Sequence, residues 1–134
     1  MIITDIAQID RLAGRLLNDN SGFKSLDPTD REYAFIKKHS DCLKAVKMDG
    51  DDISESLGTA LLDELMQADP ERMQTILLHI GTSGEIAFEQ LDHLLETLHN
   101  ALERVNLIWE TASDGREGGV ALFAVIGYKA NKSI

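Results

Sequence analysis

The segment from residue 75 to 128 constrains the fold most. Thr75-Ile-Leu-Leu-His-Ile80 is an apolar run that stops at Gly81-Thr-Ser-Gly84. A helical pattern follows over about 85–102: Phe88, Leu91, Leu95, Leu98 and Leu102 recur three and four apart, and Ala87, Leu94 and Ala101 widen the stripe. Burying each large Leu or Phe is worth about 1.5–3 kcal/mol, so this stripe has to pack on a sheet. Two further apolar runs, 105–111 and 120–128, flank the polar turn Ser113-Asp-Gly-Arg-Glu-Gly-Gly119. The expected order is strand, helix, strand, turn, strand, with the last two strands as a hairpin. Val105, Leu107 and Trp109 share one face of the second apolar run, and Trp109 is expected in the core. In the last run Val120, Leu122, Ala124, Ile126 and Tyr128 occupy one face, and Ala121, Phe123 and Val125 the other. A strand apolar on both sides belongs at the centre of a sheet.

The upstream residues add to this unit. Thr4 or Asp5 can cap a first helix to about residue 17, with Ile6, Ile9, Ala13 and Leu16 on one face. Asn18-Asp-Asn-Ser-Gly22 stops it. Asp27-Pro28 starts a second, short helix of about 28–38, with Asp30 in its first turn, where the helix dipole favours negative charge. Tyr33, Phe35 and Ile36 supply its apolar contacts. Residues 41–48 read as a strand with Lys44 and Lys47 on opposite faces, which suits a partly exposed or edge position, and Asp49-Gly50 reads as a turn. Asp52 or Ser54 opens a third helix with Ile53, Leu57, Ala60, Leu61 and Leu65 as its buried stripe; Asp69-Pro70 ends it. The fold class is therefore α/β (α+β): a four-stranded mixed sheet, two long crossover helices on one face, and extra N-terminal helices at the edge or over the other side.

At 134 residues the chain is expected to be a single domain over 1–134. Its 13 Lys+Arg against 23 Asp+Glu give a net charge of −10. Such a chain repels nucleic-acid phosphates and anionic membrane surfaces, so neither is expected as a partner. Cys42 is the sole cysteine, no secretory-signal pattern opens the chain, and no apolar run reaches the length of a membrane span. A reducing, cytoplasmic setting is expected.

Between residues 25 and 128 the pattern resembles the C-terminal domain of the bacterial tubulin homologue FtsZ. That family has a helix ending in "spLL", a strand like "gvLlnItGG", a helix opening "lfEvne", and two last segments, "anIifG" and "vrvTvIatGf". Here stand Thr59-Ala-Leu-Leu62, Thr75-Ile-Leu-Leu-His-Ile-Gly81, Phe88-Glu89, Val105-Asn-Leu-Ile-Trp109 and residues 120–128. Residues 1–24 form an N-terminal helix and loop outside the resemblance. The family also carries an N-x-D-x-x-D synergy loop, whose acids reach the nucleotide of the next subunit. Ser25-Leu-Asp27-Pro-Thr-Asp30 keeps both acids but has Ser25 in place of Asn, and a helix cap alone also explains it. The family's GTPase domain and its glycine-rich phosphate loop have no counterpart in this sequence. The resemblance thus implies a stand-alone copy without catalysis or cofactor. Its role would be to contact a protein partner, FtsZ or itself, through Asp27 and Asp30, and to modulate or cap filament assembly in cell division. The alternative is a small-molecule-binding or regulatory module sharing only the fold.

Other chemistry is sparse. Thr82, Ser83 and Gly84 precede a helix start whose N–H groups can hold an anion, although a plain strand-to-helix turn explains them as well. Glu89, His93 and Glu96, spaced four and three apart, are weak metal-ligand candidates; a metal needs convergent partners from another element, and solvated helix polarity is the default. Cys42 follows His39 by three residues, yet a small buried side chain at a strand start accounts for it better than a nucleophile does. No enzyme activity is expected.

Overall fold

In a computed structural model, residues 2–18, 28–51, 55–82, 88–113 and 119–129 are described. The elements in order are β1 (Ile2–Ile3), α1 (Ile6–Asn18), α2 (Pro28–His39), β2 (Cys42–Gly50), α3 (Glu55–Met66), β3 (Met73–Thr82), α4 (Phe88–Ala101), β4 (Asn106–Ser113) and β5 (Val120–Tyr128). They form one mixed sheet in the order β1-β2-β5-β3-β4, in which β3 and β4 are parallel and every other neighbouring pair is antiparallel. Among the described residues no helix is long and apolar enough to cross a membrane.

The α/β class holds, with one strand more than expected: β1 pairs Ile2 with Val46 and Ile3 with Ala45 along the outer side of β2. The expected hairpin does not form. β3 lies between β4 and β5, and Thr82 has Ser113 on one side and Val120 on the other. β4 and β5, consecutive strands in the chain, therefore flank β3 instead of pairing with each other. Placed there, β5 bonds antiparallel to both β2 and β3 and satisfies the backbone groups of three strands at once. Asp49-Gly50 is likewise strand rather than turn, pairing with Ala121 and Val120. A Cβ at Gly50 would stand 3.1 Å from two Leu57 methyls, so glycine lets α3 close onto the strand end.

Period-two alternation splits the sheet into two cores. Toward α3 and α4, Ile76, Leu78 and Ile80 of β3 and Leu122, Ala124 and Ile126 of β5 meet Leu57, Leu61, Leu65, Leu94, Leu98 and Leu102. Toward α1 and α2, Leu43, Ala45, Leu77, Phe123 and Val125 meet Ile9, Ala13 and Ile36. The two crossover helices share one face, as expected, and the N-terminal helices cover the other.

Local chemistry sets the element ends. Asp5 caps α1: its Oδ1 accepts from the Ala7 N–H at 3.2 Å. Ile9 and Ala13 face inward as the helical spacing requires, whereas Ile6, on the first turn, stays exposed. Asp69 adopts a left-handed backbone (φ 59°) and Pro70 opens a short 3-10 turn into β3. The Tyr128 hydroxyl donates to the Ala68 carbonyl, fastening the end of β5 to the exit of α3. Burial, with the Asp69 carboxylate second, pushes that phenol far above its ordinary range. On the other face, Lys37 donates to both Asp10 carboxylate oxygens at 2.9 and 2.8 Å, and the Tyr33 hydroxyl donates to Oδ1. These bonds hold the Asp10 carboxyl below the usual carboxylate range, Lys37 contributing most.

Candidate functional site

The outer margin of the sheet is the most distinctive surface. β4 pairs with β3 along Asn106–Ser113 and, among the described residues, with no strand on its other side. None of residues 106–112 is fully buried. Leu107 packs against the α3–α4 core from this margin. Trp109 shares its face and is 45% exposed, a correction to the core position expected of it. A core tryptophan needs cover on both flanks, and a margin strand has a neighbour on one. Between β4 and α4 runs an open hollow of about 470 Å³, lined by Leu107 and Trp109 from the strand and by Asp92, Leu95, Glu96 and His99 from the helix.

A second constellation lies on the opposite face. The parallel register puts His79 of β3 beside Glu110 of β4, and His79 Nδ1 is 2.6 Å from Glu110 Oε1. His79 is 3% exposed and shares its strand face with Leu77. A carboxylate on one ring nitrogen is how proteins orient a histidine base, but a base must also meet the substrate's proton. With so little of the ring open, the pair is a satisfied buried contact that ties β4 to β3. Among the described residues no buried side-chain nitrogen or oxygen lacks a partner.

The residues singled out from the sequence do not converge. Asp27 lies outside the described residues, and Asp30 falls in the first turn of α2 with its side chain outside them. Thr82 is buried as the last residue of β3, whereas Ser83 and Gly84 lie outside the described residues. Glu89, His93 and Glu96 are exposed along α4. Among the described residues no group of three or more His, Cys, Asp or Glu is placed to hold a metal ion. Cys42 is exposed rather than buried, because it begins β2 at the end of the sheet. His39, its suggested base, instead stacks on Phe35 with ring centroids 4.2 Å apart. Tyr128 is core, as expected, at 1% exposure.

Sequence reasoning missed both the open margin and the His79–Glu110 pair. The first had a signal: Asn106, Glu110, Thr111 and Ser113 make this run the most polar of the long strands. The second had none, since residues thirty-one apart meet only through the strand register. No model of a known protein family matches the sequence, and no curated protein matches it.

Proposed function

We propose that the chain is a non-catalytic protein-interaction domain of the FtsZ C-terminal type, working in the cytoplasm to modulate or cap filament assembly in cell division. One observation supports this reading above the others. The segments that carry the resemblance take the element types it implies: 59–62 are helical in α3, 75–81 form strand in β3, 88–89 open helix α4, and 106–109 and 120–128 form strand in β4 and β5. On this reading the segment bearing Asp27 and Asp30 meets the nucleotide-bearing face of a filament end. Sedimentation of FtsZ filaments with and without the protein tests it. Lower polymer mass or co-pelleting is expected, with the effect lost in the Asp27→Asn, Asp30→Asn double variant. Unchanged polymer mass without co-pelleting contradicts it.

A second reading, a small-molecule-binding or regulatory module, draws support from an open hollow of about 580 Å³. Met66, Pro70, Asn100 and Arg104 are among its lining residues, and the volume lies within the range of ligand pockets. A thermal-shift screen separates the two readings, because a ligand at 100 times its Kd stabilises the fold by about 2.7 kcal/mol.

A further inference from the structure

We propose that the open margin of β4 is a strand-addition site for an extended, basic peptide segment of a partner protein. Strands at sheet margins offer a row of backbone donors and acceptors to any extended chain, and proteins that avoid this place Lys, Pro or a covering element there. The other margin of this sheet follows that rule. β1 covers part of β2, and β2 itself carries two lysines, Lys44 and Lys47. β4 does not follow it: residues 106–113 contain no Lys, Arg or Pro. Its only charged side chain, Glu110, is engaged with His79 rather than turned outward as a guard. Eight residues of strand thus end the sheet with no strand beyond them among the described residues.

Charge selects the occupant. A strand added beside β4 would send alternate side chains to opposite faces. On the α4 face they would enter the hollow that holds Trp109, Asp92 and Glu96, with His99 at its side. An arginine or lysine fits there: its cation can lie over the indole face and meet the carboxylates. On the other face the intervening side chains would lie beside half-buried Ile108 and Ala112, which suits small apolar residues such as valine. Recognition by backbone ladder plus alternate side-chain pockets is an established way for a sheet margin to bind peptides. A second copy of this chain is the poorer occupant. Pairing β4 with β4 would bring two chains of net charge −10 together at their Asp92 and Glu96 surfaces.

Trp109 is the only tryptophan in the chain, so its emission reports on this surface alone. The probe is an eight-residue peptide of alternating arginine and valine, as long as β4. Its controls are an alternating glutamate–valine peptide and an arginine–valine peptide with proline at its centre. The arginine–valine peptide is expected to shift Trp109 emission saturably at moderate salt, and neither control to do so. The Asp92→Lys, Glu96→Lys double variant, changed only at exposed helix positions, is expected to bind about tenfold or more weakly while keeping its circular dichroism. No shift with the arginine–valine peptide overturns the proposal. So does an equal shift with the proline control, which would mean charge attraction without strand pairing. A dimer in sedimentation velocity that the peptide does not dissociate also overturns it, in favour of a second copy.

Discussion

β4 and β5 follow one another in the chain and have opposite fates in the sheet. β5 lies between β2 and β3 with ladders on both sides, and all of its residues except Ala121 are buried. Among the described residues β4 has a ladder on one side, and no residue between 106 and 112 is fully buried. Their composition accounts for the difference. β5 has large or small apolar side chains on both faces and gains by being covered on both. β4 mixes Asn106, Glu110 and Thr111 with apolar residues, and would lose solvation of those groups at the centre. A strand's place in a sheet follows from how many of its faces are apolar, not from which strand precedes it.

Substitutions that probe this contrast fall in a clear order. Phe123→Ala should cost most, about 3–5 kcal/mol in chemical denaturation, because it empties the middle of the α1–α2 core from a central strand. A cost near that of a surface change would contradict the central position of β5. Gly127→Ala should come next, at about 1–3 kcal/mol. The added Cβ would stand 2.9 Å from the Ile36 Cγ2 and would also run into the Ser40 hydroxyl, where α2 crosses the strand closely. Tyr128→Phe should cost about 1 kcal/mol or somewhat more, since it strips the Ala68 carbonyl of its donor. Trp109→Ala on β4 should stay within about 1 kcal/mol despite the size of the side chain, because nearly half of it already meets water.

The pH dependence sharpens the same contrast. The Tyr128 phenol holds its proton to higher pH in the folded chain than in the unfolded one. Its contribution is therefore fully present below about pH 10 and is lost as pH rises further. Tyr128→Phe should flatten that alkaline loss. At the other end of the scale, the Asp10 carboxyl is held low by Lys37 and Tyr33. Its contribution is present above the usual carboxylate range and disappears as pH falls through the lowered value. Asp10→Asn should remove that acid sensitivity at the smallest stability cost of the series, because Asp10 and Lys37 are both well exposed.

Much of this was legible in the residues. The Phe88, Leu91, Leu95, Leu98 and Leu102 spacing, widened by Leu94, marks α4, although Leu94 rather than Leu95 is buried beside Leu98 and Leu102; the two apolar faces of residues 120–128 mark a central strand. What escaped was who neighbours whom. The hairpin expectation took closeness in sequence for closeness in the sheet, whereas β5 gains two ladders by lying between β2 and β3. Cys42 and Trp109 were misplaced for a related reason: small or aromatic side chains have no fixed burial, and a strand's end or margin decides it. Asp49-Gly50 has turn chemistry but stays extended because Ala121 and Val120 pair with it. The His79–Glu110 pair depends on a parallel register that no local pattern encodes.

Amide hydrogen exchange in the native state, read residue by residue, tests the unequal fates of the two strands most directly. The account predicts that β5 amides between 121 and 127 exchange only with global unfolding. In β4, amides turned toward β3 should be protected and those turned outward should exchange fast, giving an alternating record along 106–113. Uniform protection of β4 to the level of β5 would contradict the open margin, and with it the strand-addition site.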